Sequence, residues 1–193
     1  MIKIIGGIKK RTKIQISPDN VRPTSIQKRE SIFSIIENHR RKTNDKIYEY
    51  LNILDIFAGS GSLGLEAISR GAFFGYFYEN NSQTISYLRK NCQKICTNNS
   101  FKIIKENILE SKFKDVDKKI SLVFIDPPYK INPFEKILIN IHESIILSKD
   151  AIIVIECSQK TNITIPPYFS CFTERIYRKT KILFLINKTD KTK

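Results

Sequence analysis

The 193-residue chain has no tryptophan, one methionine, two histidines and four cysteines. None of the cysteines, Cys92, Cys96, Cys157 and Cys171, stands in a C-x-x-C pair, and neither His39 nor His142 is spaced to complete a zinc site. Buried thiols and no metal are therefore expected. No run approaches the roughly 20 apolar residues that a membrane-spanning helix needs. The first sixteen residues interleave isoleucine with Lys and Arg instead of forming a signal-peptide core, so a cytoplasmic location is expected. Glycine and proline are scarce, seven of each, and no linker or repeat divides the chain. One core is the expectation at this length, and a hydrophobic content of 41% excludes wholesale disorder.

Acidic residues are also in short supply: 33 Lys and Arg face 19 Asp and Glu, a net charge of +14. The surplus is +7 over residues 1–50, +1 over 51–156 and +6 over 157–193. Basic ends around a near-neutral middle suggest a polyanionic partner, because Lys and Arg release counterions from a phosphate backbone. Biased codon usage in an AT-rich genome would also enrich Lys, Ile and Asn.

Periodicity gives two short strands, 3–5 and 13–16, and a helix over 24–39 whose apolar face holds Ile32, Phe33, Ile35 and Ile36. From Ile53 onward strands and helices alternate: strand 53–57, helix 62–70, strand 73–79, helix 82–95, strands 101–105 and 121–126, helix 133–141, strand 151–156. The strands 172–177 and 181–186 are close enough for a hairpin. The pattern predicts an α/β fold with a seven-stranded, mostly parallel sheet ending in an antiparallel hairpin. Residues 1–45 read as an N-terminal extension of hairpin and helix, 46–188 as the main domain and 189–193 as a basic tail. In such sheets ligands gather beyond the carboxyl ends of the strands.

Two segments stand at that edge. In Asp55-Ile56-Phe57-Ala58-Gly59-Ser60-Gly61 a glycine turn follows the first strand of the alternating region, and Gly64 completes a formal G-x-G-x-x-G. Glu79 ends the next strand, where a carboxylate can accept from ribose hydroxyls. A nicotinamide cofactor remains open on these residues alone, but the acidic residue four positions before Gly59 resembles motif I of the class I S-adenosylmethionine-dependent methyltransferases. The second segment, Asp126-Pro127-Pro128-Tyr129, is stiffened by its prolines, which fix φ and remove two donors. It looks like the [DNS]-P-P-[YF] motif of enzymes that methylate exocyclic amines of nucleobases.

Further stretches narrow the match: Ile4-Ile5-Gly6-Gly7, Val21-Arg22-Pro23-Thr24 with Arg29-Glu30, the run from Leu54 to Ala72, and Val154-Ile155-Glu156. Together, over nearly the whole chain, they are similar to the bacterial guanine-N2 methyltransferases of 16S ribosomal RNA. That resemblance implies S-adenosylmethionine as cofactor and a flipped guanine of the 30S subunit or its assembly intermediates as substrate. Nothing in the sequence demands more than a monomer, and no obligate protein partner is expected. The resemblance assigns catalysis to Asp126, Pro127, Pro128 and Tyr129, with Tyr129 stacking on the base. Asp55, Phe57, Gly59, Ser60, Gly61, Glu79, Asn80, Asn107 and Ile108 fall to the cofactor, and Arg22, Thr24, Arg29 and Tyr129 to the substrate.

The chain departs from the family in having Asn107 where an acidic residue usually follows the third strand of the alternating region. It also has Ser25 after the R-P-T triplet, and Leu147-Ser148-Lys149-Asp150 in place of a glycine-rich turn. A DNA adenine-N6 methyltransferase and an RNA-binding assembly factor without catalysis are the alternatives.

Overall fold

A computed structural model describes residues 2–18, 25–41, 47–97, 99–128 and 132–188. Arg22, Pro23, Thr24, Tyr129 and the tail 189–193 lie outside the described residues. A two-stranded antiparallel ribbon, β1 (Ile2–Lys3) and β2 (Lys13–Ile14), opens the chain and is followed by helix α1 (Ile26–Arg40). Ser25 caps α1 by accepting the Lys28 amide at 3.3 Å. Then come β3 (Asn52–Ile56), α2 (Gly64–Ser69), β4 (Phe74–Tyr78), α3 (Ser82–Ile95), β5 (Phe101–Ile104), β6 (Ile120–Ile125), α4 (Phe134–Glu143), β7 (Leu147–Ser158), β8 (Phe169–Tyr177) and β9 (Thr180–Asn187).

The main sheet runs β5-β4-β3-β6-β7-β9-β8. The first five of these strands are parallel, and β9 joins antiparallel to both β7 and β8. This is the architecture read from the alternation. From β3 the chain winds outward through β4 to β5, then returns to lay β6 on the other side of β3. That reversal splays the β3 and β6 loops apart and opens a crevice at their carboxyl ends.

Strand alternation sorts the interior into two layers. On one face Ile53, Phe77, Leu122, Phe124, Val154 and Phe184 pack with Ile32 and Phe33 of α1, Leu65 of α2 and Leu88 of α3, together with Ile2, Ile4 and Ile14. On the other face Leu54, Tyr76, Val123, Ile153 and Leu185 pack with Phe134, Ile137, Leu138 and Ile141 of α4. The N-terminal segment thus contributes to the main core. It is also tied to the end of α2: Ile8 N donates to Ser69 O at 2.8 Å, and Ser69 Oγ donates to Gly6 O at 2.6 Å. Gly7 has φ +73°, and a Cβ there would lie 1.8 Å from Ser69 O, so no other residue fits this contact.

One local reading needs correction. Residues 147–150, taken as a turn, begin β7: Leu147 pairs with Ile120, and the irregularity that follows is absorbed before Ile152 meets Leu122. Pairing with β6 holds as strand a polar segment, including Asp150 at φ +57°, whose composition alone suggests a turn. Among the cysteines, Cys92 and Cys157 are buried, Cys96 is partly buried and Cys171 is exposed, all as free thiols. No described helix is long and apolar enough to cross a membrane.

Candidate active site

The turn between β3 and α2 is built on unusual backbone. Phe57 (φ +62°), Gly59 (φ +55°) and Gly61 (φ +78°) all adopt left-handed conformations within five residues. For Phe57 this costs on the order of 1–2 kcal/mol. Such strain persists only where the surroundings over-determine it, and it concentrates at functional loops.

The surroundings are on the page. Ala58 N donates to Tyr78 O at 2.9 Å, Gly61 N to Ala58 O at 2.7 Å, and Leu65 N to Gly61 O at 2.8 Å. The carboxylate of Asp55 accepts the Gly64 amide at 2.9 Å, which anchors the start of α2. Buried Asn91 of α3 donates to Ser60 O at 3.0 Å and exchanges hydrogen bonds with the Gln15 backbone. One amide side chain therefore holds the glycine turn and the N-terminal segment together.

Glu79, just past β4, accepts the Gly59 amide at 3.0 Å on one oxygen and the amides of Asn80 and Asn81 at 2.9 Å on the other. These bonds fix its orientation at the mouth of a pocket lined by Phe57, Tyr78, Glu79, Asn80, Glu106, Asn107 and Ile108. Five of the nine residues expected around the cofactor thus share one pocket, and Gly59 is bonded to its rim. Asp55 lies behind it, 3% exposed, and supports the turn from below. Burial is the main cause that pushes its carboxyl well above the usual carboxylate range; Gly64's amide opposes the shift, while the charges of Asp126 and Glu79 add to it.

Tyr78 and Glu106 were missed from sequence. Glu106 accepts from Ser111 Oγ at 2.9 Å and brings to the pocket the acidic group that Asn107 lacks, one position earlier. Its signal was there, in a carboxylate two residues beyond β5. Asn107 is itself engaged locally, donating to Glu110 at 3.0 Å and accepting from Leu109 N at 3.2 Å.

Ile56 pairs with Ile125, so Phe57 and Asp126 leave the sheet side by side at the crevice. Asp126 is half-buried, Pro127 buried and Pro128 exposed. Arg29 is not brought to this edge and requires a correction: it is fully buried, donates to Lys3 O at 2.9 Å and lies 3.8 Å from Glu66. An arginine in a basic stretch reads as surface until a buried carboxylate on another helix claims it.

The family profile described as Conserved hypothetical protein 95 matches residues 2–186. The chain belongs to this family. Its relatives include the Ribosomal RNA small subunit methyltransferase D of Buchnera aphidicola (Acyrthosiphon pisum strain APS), 32% identical, with 97% of this chain and 94% of that protein covered. The protein of the same name from Escherichia coli K12 is 28% identical, with 91% and 84% covered. Among solved structures, an Escherichia coli methyltransferase candidate superposes with a TM-score of 0.81 at 26% identity, covering 97% of this chain and 98% of that one. For this member of the family the residues fit S-adenosylmethionine on structural grounds. The pocket offers carboxylates for hydroxyls and cationic groups, and Phe57 and Ile108 give apolar faces for a base. Asp55, Asp126 and Glu79 are within electrostatic reach of one another, a repulsion that a cationic ligand would relieve.

Proposed function

We propose that this protein methylates the exocyclic N2 of a guanine in 16S ribosomal RNA, acting as a cytoplasmic monomer on the 30S subunit or its assembly intermediates, with S-adenosylmethionine as methyl donor. The observation that carries the reading is the placement of the strained glycine turn with Glu79 beside Asp126-Pro127-Pro128 at one topological switch point. The names of the curated relatives support the substrate class.

Glu79 would hold the ribose, Glu106 and Asn107 the polar edge of the adenine, and Phe57 and Ile108 its faces. When bound, S-adenosylmethionine supplies an electrophilic methyl group on a sulfonium. The acceptor amine is a poor nucleophile because its lone pair is delocalised into the ring. Asp126 and the Pro127 carbonyl accept its N–H groups, which aligns the nitrogen and returns electron density to it. Pro127 and Pro128 keep these acceptors in place, and Tyr129 stacks on the flipped base. Asp126 or water takes the proton released once the amine is methylated.

The test is transfer of a labelled methyl group to 30S particles from cells lacking the protein, followed by nucleoside analysis. N2-methylguanosine is expected, and Asp126→Ala should lower the rate by about 10²-fold or more with the fold intact. Label found only as N6-methyladenine in duplex DNA would overturn the reading.

A further inference from the structure

Val154-Ile155-Glu156 matched the family without acquiring a role, and its place in the sheet gives it one. Ile125, the last residue of β6, pairs in register with Ile155 of β7, so Asp126 leaves the sheet next to the strand position of Glu156. Leu122, Phe124, Ile152 and Val154 share one face of the sheet, and alternation along β7 carries Glu156 to that same face, while the charge of Asp126 acts on buried Asp55 of β3. Glu156 is 4% exposed and forms an ion pair with Lys28 of α1, itself 17% exposed. A buried ion pair contributes little net stability compared with apolar residues of the same size, so its presence one strand over from the end of β6 asks for another reason.

We propose that the Lys28–Glu156 pair reads the Watson–Crick edge of the target base and selects guanine. Resting on the functional reading above, Asp126, Glu156 and the Lys28 ammonium held by Glu156 would meet the base as acceptor, acceptor and donor. Guanine presents N2–H, N1–H and O6, which is donor, donor, acceptor in the same order. Adenine offers an acceptor at N1 and no polar group at C2, and cytosine offers acceptors at N3 and O2, so each meets the Glu156 carboxylate with a lone pair. A site built to hydrogen-bond one edge rejects an analogue lacking it, because its own buried polar groups are then left unpaired.

The test uses reconstituted 30S particles carrying either guanosine or 2-aminopurine riboside at the mapped position. 2-Aminopurine keeps the N2 amine but lacks N1–H and O6. Wild type should prefer guanosine by at least about 10-fold in kcat/KM. Lys28→Met and Glu156→Leu should collapse that preference severalfold toward unity by slowing guanosine alone, and Lys28→Arg, which retains a donor, should preserve it.

Equal rates on the two bases with wild type would overturn the proposal, and so would variants that slow both bases alike, as a purely structural pair would. The wild-type comparison stands even if a variant fails to fold. Absence of transfer to guanosine by wild type would refute the functional reading itself, and the inference with it.

Discussion

The two faces of the sheet are built differently. The α4 face is held by hydrocarbon and aromatic rings, with Phe134, Ile137, Leu138 and Ile141 packed on Leu54, Tyr76 and Val123. The opposite face buries Arg29, Asp55, Glu66, Asn91 and Glu156 among its apolar residues. There Glu66, fully buried, accepts Ile5 N at 2.8 Å and Arg70 Nε at 2.9 Å, and Arg70 reaches on to Glu37 at 2.6 Å. Apolar packing is non-directional and tolerates volume-conserving change, whereas buried polar groups demand one geometry. The N-terminal segment, α1 and the glycine turn meet on the face where position matters, and α4 supplies bulk stability from behind.

Removing a partner from the polar face should have the largest effect. Glu66→Ala leaves Arg29 buried without its carboxylate and should cost about 3–5 kcal/mol in urea unfolding. Combining it with Arg29→Met should recover a large part of that loss, and failure to recover it would deny the pairing. On the apolar face, Ile137→Ala should cost about 2–5 kcal/mol. The contrast predicts that this variant keeps its affinity for S-adenosylmethionine in calorimetry at temperatures where it is folded, while Glu66→Ala binds more weakly.

Asp55 sharpens the comparison through pH. Its folded-state carboxyl titrates above the unfolded one, so its buried charge opposes folding in full at pH values above both and is relieved as pH falls through the folded value. Asp55→Asn, which keeps an acceptor for Gly64 N, should therefore gain most over wild type in thermal stability at alkaline pH. The gain should shrink as pH is lowered; a pH-independent difference would contradict the assignment. The smallest effect belongs outside both layers. Lys102 and Asp115 pair at 2.7 Å with side chains 44% and 57% exposed, and Lys102→Ala should change stability by no more than about 1 kcal/mol.

Local patterns were legible where a single element carries its own signal. Helix α3 spans 82–95 as read, because Asn81 caps it through the Thr84 amide at 2.9 Å and its apolar residues recur at helical spacing. The positions of the glycine turn, Glu79 and Asp126 were legible because each follows a strand end at a fixed offset. Residues whose meaning depends on a distant partner were not. Arg29 read as a substrate contact, Asn91 carried no signal, and Leu147–Asp150 read as a turn until β6 was beside it.

The sequence by itself therefore determined the order of elements, the parallel sheet and the two loops that meet at the crevice, since hydrophobic period and turn residues act locally. Only the tertiary structure decided which charges are buried, that Glu106 supplies the pocket's second carboxylate, and that Glu156 pairs with Lys28. Those facts depend on strand register and on contacts between residues dozens to more than a hundred positions apart, and no local propensity encodes them.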